Sequence, residues 1–175
     1  MIMLVAAMVM PSTAWALDVT YTNGFGSDGS YQQATLTTDK YDIDGDGQKD
    51  NVYEIGNAGQ LYWFAGLVNG TLSGVDKNLS ANAVLTTDIT VNENVLKDDG
   101  TPADETSNFR SWTPIGKSSS NAYSGTFDGQ NHTVSGLYFN DNSQYYVGFF
   151  GYVVGSNSKI SNVGVADSYF NGKED

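Results

Sequence analysis

The feature that most constrains the fold is an internal similarity in the second half of the chain. Residues 123–139 match residues 149–165 when the first segment is moved 26 positions, from Tyr123 to Phe149. A period of this length is typical of stacked repeats, in which each unit buries its apolar face against its neighbours. The matches are Gly125 with Gly151, Gly129 with Gly155, Asn131 with Asn157, Ser135 with Ser161, and five apolar pairs that include Val134 with Ile160 and Leu137 with Val163.

Short apolar segments separated by Gly and Asn fill each period, which requires a chain that turns sharply every few residues. We therefore predict an all-β fold, a right-handed parallel β-helix or solenoid, over residues 71–175. In this fold Val134 and Leu137 would lie directly against Ile160 and Val163. Since about three repeats are needed for a stable stack, we expect that further repeats of the same chain are missing after Asp175.

One segment has the pattern of a helix. Asn57 is suited to the N-cap, and Gln60 three residues later completes the pairing that satisfies the first free amides. Apolar residues then recur at helical spacing until Asn69-Gly70. We predict an amphipathic capping helix over 57–70, preceded by an N-terminal β region over 17–56.

The N-terminus has the pattern of an export signal. Residues 2–10 are apolar, and Ala14-Trp15-Ala16 fits a small-x-small cleavage site. The apolar segment is shorter than the roughly 20 residues that span a bilayer. We expect a signal peptide over 1–16 and a mature chain that is secreted or at a bacterial cell surface. The alternative is a buried strand or short helix, and no Lys or Arg precedes the apolar residues.

The charge of the chain argues against nucleic acid as a partner. The net charge is −12 with only 8 basic residues, whereas phosphate binding needs Lys and Arg to displace counterions. There are no cysteines, so an exported fold would have to be stable without disulfides. An acidic surface favours cations.

Residues 42–50 have the pattern of a calcium loop. Alternate oxygen-bearing side chains converge on one point when glycines permit a tight turn, and Ca²⁺ takes six to eight oxygen ligands. The alternative is a solvated acidic turn. The candidate ligands are the side chains of Asp42, Asp44 and Asp46, the carbonyl of Gln48, and Asp50, which closes the site.

Other candidate sites are less specific. Tyr145 and Tyr146 follow a polar segment and are the best candidates for exposed rings that stack on a glycan, although most aromatic residues are expected in the core. His132 is the sole histidine, and we expect it to be a solvent-facing turn residue. Carboxylate pairs such as Asp128 with Asp167 are available for glycoside hydrolysis, but no spacing selects a pair.

Several segments between residues 41 and 172 resemble bacterial surface proteins with GLUG-type repeats. The most specific are WTPIG at 112–116 and FDGQNHTVSGL at 127–137, and the calcium loop resembles those of dockerin and thrombospondin type 3 repeats. The resemblance departs at Phe149 and Phe150, where the repeat usually has V-G-G-L-x-G.

The resemblance implies a β-helix whose first turn is covered by an amphipathic helix. It also implies a non-catalytic, adhesin-like surface module or stalk, stabilised here by calcium, which contacts a host or cell-surface glycan or protein. The alternative is the N-terminal fragment of a polysaccharide lyase or hydrolase, or of a surface metallopeptidase.

Overall fold

The computed structural model describes residues 19–173, so the predicted signal peptide lies outside the described residues. This part of the chain forms one α-helix and ten short strands. They are β1 (Tyr21–Thr22), β2 (Phe25–Gly26), β3 (Thr35–Thr37), β4 (Val52–Ile55), α1 (Ala58–Asn69), β5 (Asn82–Leu85), β6 (Ile89–Thr90), β7 (Thr126–Ser135), β8 (Tyr138–Asn140), β9 (Lys159–Ala166) and β10 (Tyr169–Asn171).

The strands form three sheets of mixed direction. In the main sheet the order is β3-β4-β5-β7-β6, and β9 pairs with β7 as well. Strands β5 and β6 pair with the first and second halves of β7. The pair β3–β4 is antiparallel, and the other pairs of this sheet are parallel. The hairpin β1–β2 is antiparallel, and β8–β10 is parallel.

The prediction of an all-β, right-handed parallel β-helix is therefore wrong. The described residues form a small α/β-like fold with mixed sheets and one helix, and they form neither a closed coil nor a solenoid. The physical reason is that β3 pairs antiparallel with β4 and that α1 is buried in the core, so the parallel strands do not stack as equivalent turns.

The 26-residue register is wrong as well. Phe127 lies beside Ile160, 33 positions later, and Val134 lies beside Val165, 31 positions later. The offset changes because the two strands bend over segments of different length. Strand β7 turns through Gln130 and Asn131, which both have positive φ, whereas β9 turns at Asn162 alone.

Helix α1 has the ends that the sequence predicts. The Asn57 side chain accepts a hydrogen bond from the Gln60 amide at 2.9 Å, and Gly70 at the C-cap has φ 67°. The amphipathic description is wrong, however, because all 12 helical residues are buried. A helix that is apolar on every side belongs in a core rather than over one end of a stack.

The core joins α1 to the strands through aromatic side chains. Phe64 of the helix lies 6.1 Å from Phe127 of β7, and Phe127 contacts Phe149 edge-on at 5.5 Å. Trp112 and Tyr123 are fully buried in the same cluster. Rings at these separations contribute about 0.5–1.5 kcal/mol per pair beyond their buried area. No helix within residues 19–173 has the length and apolar character needed to cross a membrane.

Candidate functional site

The acidic loop connects the two strands of the β3–β4 hairpin. The amide of Asp50 donates to the Tyr41 carbonyl at 2.7 Å and closes the loop at its base. Next to this closure, the Glu54 carboxylate accepts hydrogen bonds from Lys40 at 2.6 Å and Tyr41 at 2.8 Å. These two contacts hold the pKa of Glu54 below its ordinary value, and the contact with Lys40 has the larger effect. The loop therefore ends at Asp50, shortly before β4 and eight residues before α1 begins at Ala58.

Three of the predicted calcium ligands lie together. One carboxylate oxygen from each of Asp42, Asp44 and Asp50 falls within 4.8 Å of the other two. Oxygen ligands lie about 2.3–2.6 Å from Ca²⁺, so oxygens at these separations can all reach one ion. The donor set, hard oxygens on a glycine-containing loop, fits Ca²⁺ in its chemistry.

The backbone of the loop wraps around Asp42. Its two carboxylate oxygens accept hydrogen bonds from the amides of Gly45 at 2.8 Å and Gly47 at 3.0 Å. Both glycines have positive φ, 83° and 87°, a conformation that residues with a Cβ rarely adopt. Asp50 accepts from the Ile43 amide at 2.9 Å. Each oxygen keeps a second lone pair, so these contacts orient the carboxylates without using up their capacity to bind a cation.

The structure does not place Asp46 in this group. Its carboxylate accepts a hydrogen bond from the Gln48 amide at 2.7 Å, and together with Asp44 it lines a cleft shared with Lys159. Spacing alone selected five ligands between Asp42 and Asp50, whereas the folded loop brings three carboxylates together. The direction in which each carboxylate turns depends on local amide contacts that the spacing does not encode.

The carboxylates of the loop have no basic partner within residues 19–173. The ion pairs in this part of the chain are Lys40–Glu54, Lys97–Asp104 and His132–Asp88, and none includes a loop aspartate. Neighbouring carboxylates repel one another, by about 1 kcal/mol for unit charges 4 Å apart in water. A bound cation would remove this repulsion.

The two candidate glycan-contacting tyrosines are both exposed. The Tyr145 ring is 58% exposed, and the Lys173 ammonium lies 4.5 Å from its centroid. Tyr146 is held edge-on by Tyr152 at 5.0 Å and forms one wall of a groove of about 370 Å³. The other lining residues are Thr113, Pro114, Lys117, Ser118, Phe139, Asp141 and Gln144. Only Tyr146 of the two lines this groove.

The carboxylates of Asp128 and Asp167 both accept hydrogen bonds from backbone amides. Asp128 accepts from the Gln130 amide at 3.0 Å, and Asp167 accepts from the amides of Val95 and Leu96. These carboxylates brace the backbone and do not form a pair.

His132 lies 3.1 Å from Asp88 through Nδ1. The Thr133 amide also donates to Asp88, at 2.9 Å. These two contacts keep the pKa of Asp88 below its ordinary value, and the hydrogen bond from the Thr133 amide has a larger effect than that with His132. The Asp88 carboxylate thus joins β7 to the turn that precedes β6.

Sequence reasoning missed one residue. No role is predicted for Arg110 from the sequence, whereas the structure places it in a groove against the β1–β2 hairpin. The available signal was that Arg110 is the only arginine in a strongly acidic chain.

Comparison of the chain with family models, curated proteins and solved structures finds no match.

Proposed function

We propose that the chain is a non-catalytic module of an exported bacterial surface protein, held at its β3–β4 hairpin by Ca²⁺. The observation that carries the proposal is the convergence of Asp42, Asp44 and Asp50, with ligand oxygens within 4.8 Å of one another. Free calcium is abundant outside cells, and extracellular calcium-binding modules have dissociation constants of about 10⁻⁴–10⁻³ M. The ion would fix the β3–β4 connection and, through β4, the start of α1.

The partner class that fits is a glycan or protein of a host or cell surface. The groove beside Tyr146 supports a glycan, because it combines an aromatic ring with the polar side chains of Lys117, Asp141 and Gln144. The hydrogen bonds from backbone amides to Asp128 and Asp167 support a non-catalytic role for these two carboxylates. The expected role as a stalk depended on a solenoid, which residues 19–173 do not form, so we do not propose it.

Calorimetric titration tests the calcium site. Calcium added to the protein is expected to bind at one site with a dissociation constant of about 10⁻⁴–10⁻³ M. We expect Asp42→Asn to weaken binding about tenfold or more, since it removes a charged ligand and one of the oxygens that orient the loop. Asp98→Asn, which removes an exposed carboxylate elsewhere, is the matched control and should leave binding unchanged.

The same titration distinguishes the five ligands selected by spacing from the three carboxylates that lie together in the structure. Asp46→Asn is expected to weaken binding by less than Asp42→Asn, because the Asp46 carboxylate lies outside the group. If calcium does not bind to the wild-type chain, or if Asp98→Asn weakens binding as much as Asp42→Asn, the loop is only a solvated turn.

A glycan array tests the partner. We expect the wild-type chain to retain a defined set of glycans, and Tyr146→Ala to bind those held by this groove up to about tenfold more weakly, because an aromatic contact contributes about 0.5–1.5 kcal/mol. Tyr21→Ala is the control, since this ring is also exposed but lies on β1. Equal binding by both variants would contradict the assignment of this groove.

A further inference from the structure

A second groove, of about 440 Å³, lies where Arg110 meets the β1–β2 hairpin. This volume falls in the range of about 300–1,000 Å³ that is usual for small-molecule sites. Arg110 is the only charged residue of the lining. The lining residues are Thr20, Thr22, Asn23, Phe25, Gly26, Ser27, Val91 and Arg110.

The backbone of Arg110 is fixed by a buried side chain. Asn92, which is 9% exposed, accepts from the Arg110 amide at 2.8 Å and donates to its carbonyl at 3.1 Å. The Tyr62 hydroxyl donates to the same carbonyl at 3.3 Å. With both backbone groups held, less conformational freedom is lost when the side chain binds a ligand.

The guanidinium itself is uncompensated. Its central carbon lies 3.8 Å from the centroid of the Phe25 ring, and the hydrogen bonds of Arg110 within residues 19–173 involve its backbone and none of its five side-chain N–H donors. None of the three ion pairs within residues 19–173 includes Arg110, although the chain has 20 acidic residues. The acid of the same hairpin, Asp28, accepts hydrogen bonds from Ser30.

We propose that this groove binds the carboxylate of an acidic sugar, a uronic acid residue of a saccharide. An arginine fork matches a carboxylate with two parallel hydrogen bonds. The hydroxyl groups of Thr20, Thr22 and Ser27 line the same groove and can donate to or accept from sugar hydroxyls. A peptide carboxylate would satisfy the arginine but offers fewer hydroxyl groups than a sugar ring to pair with these side chains. The inference goes beyond the proposed function, because this groove is separate from the calcium loop and from the Tyr146 groove.

Amide NMR of the full chain, titrated with four probes, tests the assignment. The probes are glucuronate, glucose as the same ring without a carboxylate, acetate as a carboxylate without a ring, and acetyl-alanyl-alanine as a peptide carboxylate. We expect glucuronate to shift the amide signals of Thr22, Asn23 and Ser27 with a dissociation constant on the order of 1–10 mM. The other three probes should bind at least about tenfold more weakly, since each lacks one of the two recognised groups.

Three variants identify the group responsible. Arg110→Gln is expected to weaken glucuronate binding by about tenfold to a hundredfold, the usual effect of a charge-assisted hydrogen bond. Arg110→Lys should recover only part of the affinity, because a lysine keeps the charge without the planar fork. Lys77→Gln removes one exposed positive charge elsewhere and should leave binding unchanged.

The wild-type titration decides the inference even if Arg110→Gln perturbs the hairpin through the loss of its contact with Phe25. Absence of shifts at Thr22, Asn23 and Ser27 up to about 50 mM glucuronate would overturn the inference. Binding of glucose, acetate or the dipeptide as tight as that of glucuronate would overturn it, as would an equal loss with Lys77→Gln. Addition of a calcium chelator should not change the result, so failure here and failure of the calcium site are separate outcomes.

Discussion

Changing Gly136 to alanine is expected to lower the free energy of unfolding by at least about 3 kcal/mol. Gly136 has φ 77°, and an added Cβ would lie 1.8 Å from the carbonyl oxygen of Asn92 and 2.5 Å from its amide nitrogen. These are backbone atoms of a buried residue, so neither can rotate away. The Asn92 side chain donates to the Gly136 carbonyl at 2.8 Å, and the displacement would break this bond as well.

A matched substitution separates the clash from backbone strain. Gly74 also has positive φ, 70°, but an added Cβ there would meet nothing within 4 Å. Gly74→Ala is therefore expected to cost about 1 kcal/mol from strain alone. Urea denaturation of both variants measures the difference. Similar free energies of unfolding for the two would show that the close approach of Gly136 to Asn92 is wrong.

Removing calcium is expected to produce the second largest change in stability. A ligand that binds only the folded state stabilises it according to the ratio of its concentration to the dissociation constant. At about 10 mM calcium and a dissociation constant of about 10⁻⁴–10⁻³ M, the gain is about 1.4–2.7 kcal/mol. For a chain of this size, that gain corresponds to an increase in Tm of about 3–10 °C.

The sequence was sufficient to predict the ends of α1 and a strand after it, whereas calcium binding by the acidic loop stays a prediction. Asn57 and Gly70 mark the ends of α1, because caps depend on residues within a few positions. The β-branched segment 83–92 predicts a strand, and the structure has β5 and β6 there, interrupted before Ile89. Local signals of this kind do not depend on the rest of the fold.

The register between strands could not be obtained from glycine and asparagine matches. These residues mark corners, and corners differ in length between β7 and β9. A better signal was present in the segments Tyr138–Asn140 and Tyr169–Asn171, which both read Tyr-Phe-Asn and pair residue by residue. Their tyrosine rings stack at 5.8 Å, and the side chain of Asn171 donates to that of Asn140 at 2.8 Å. Their offset of 31 positions is the register of β8 with β10 and of the second half of β7 with β9, whereas the first half of β7 is offset by 33.

The selection of ligands within the candidate site depended on contacts beyond the spacing. Asp42 and Asp50 turn toward each other because amides across the loop hold them, whereas Asp46 turns toward Gln48. The groove at Arg110 combines residues between 20 and 27 with residues 91 and 110, which are distant in the sequence. Only the packing of the hairpin on Tyr62 and Arg110 brings these residues together.

Thermal unfolding with and without calcium is the most direct test of the central claim, that the loop 42–50 binds Ca²⁺ and stabilises the fold. The wild-type chain is expected to melt about 3–10 °C higher in about 10 mM calcium than in a chelator. Asp42→Asn should lose most of this difference, and Asp98→Asn should keep it. Equal melting of the wild-type chain under both conditions, or the same calcium effect in Asp42→Asn, would contradict the account.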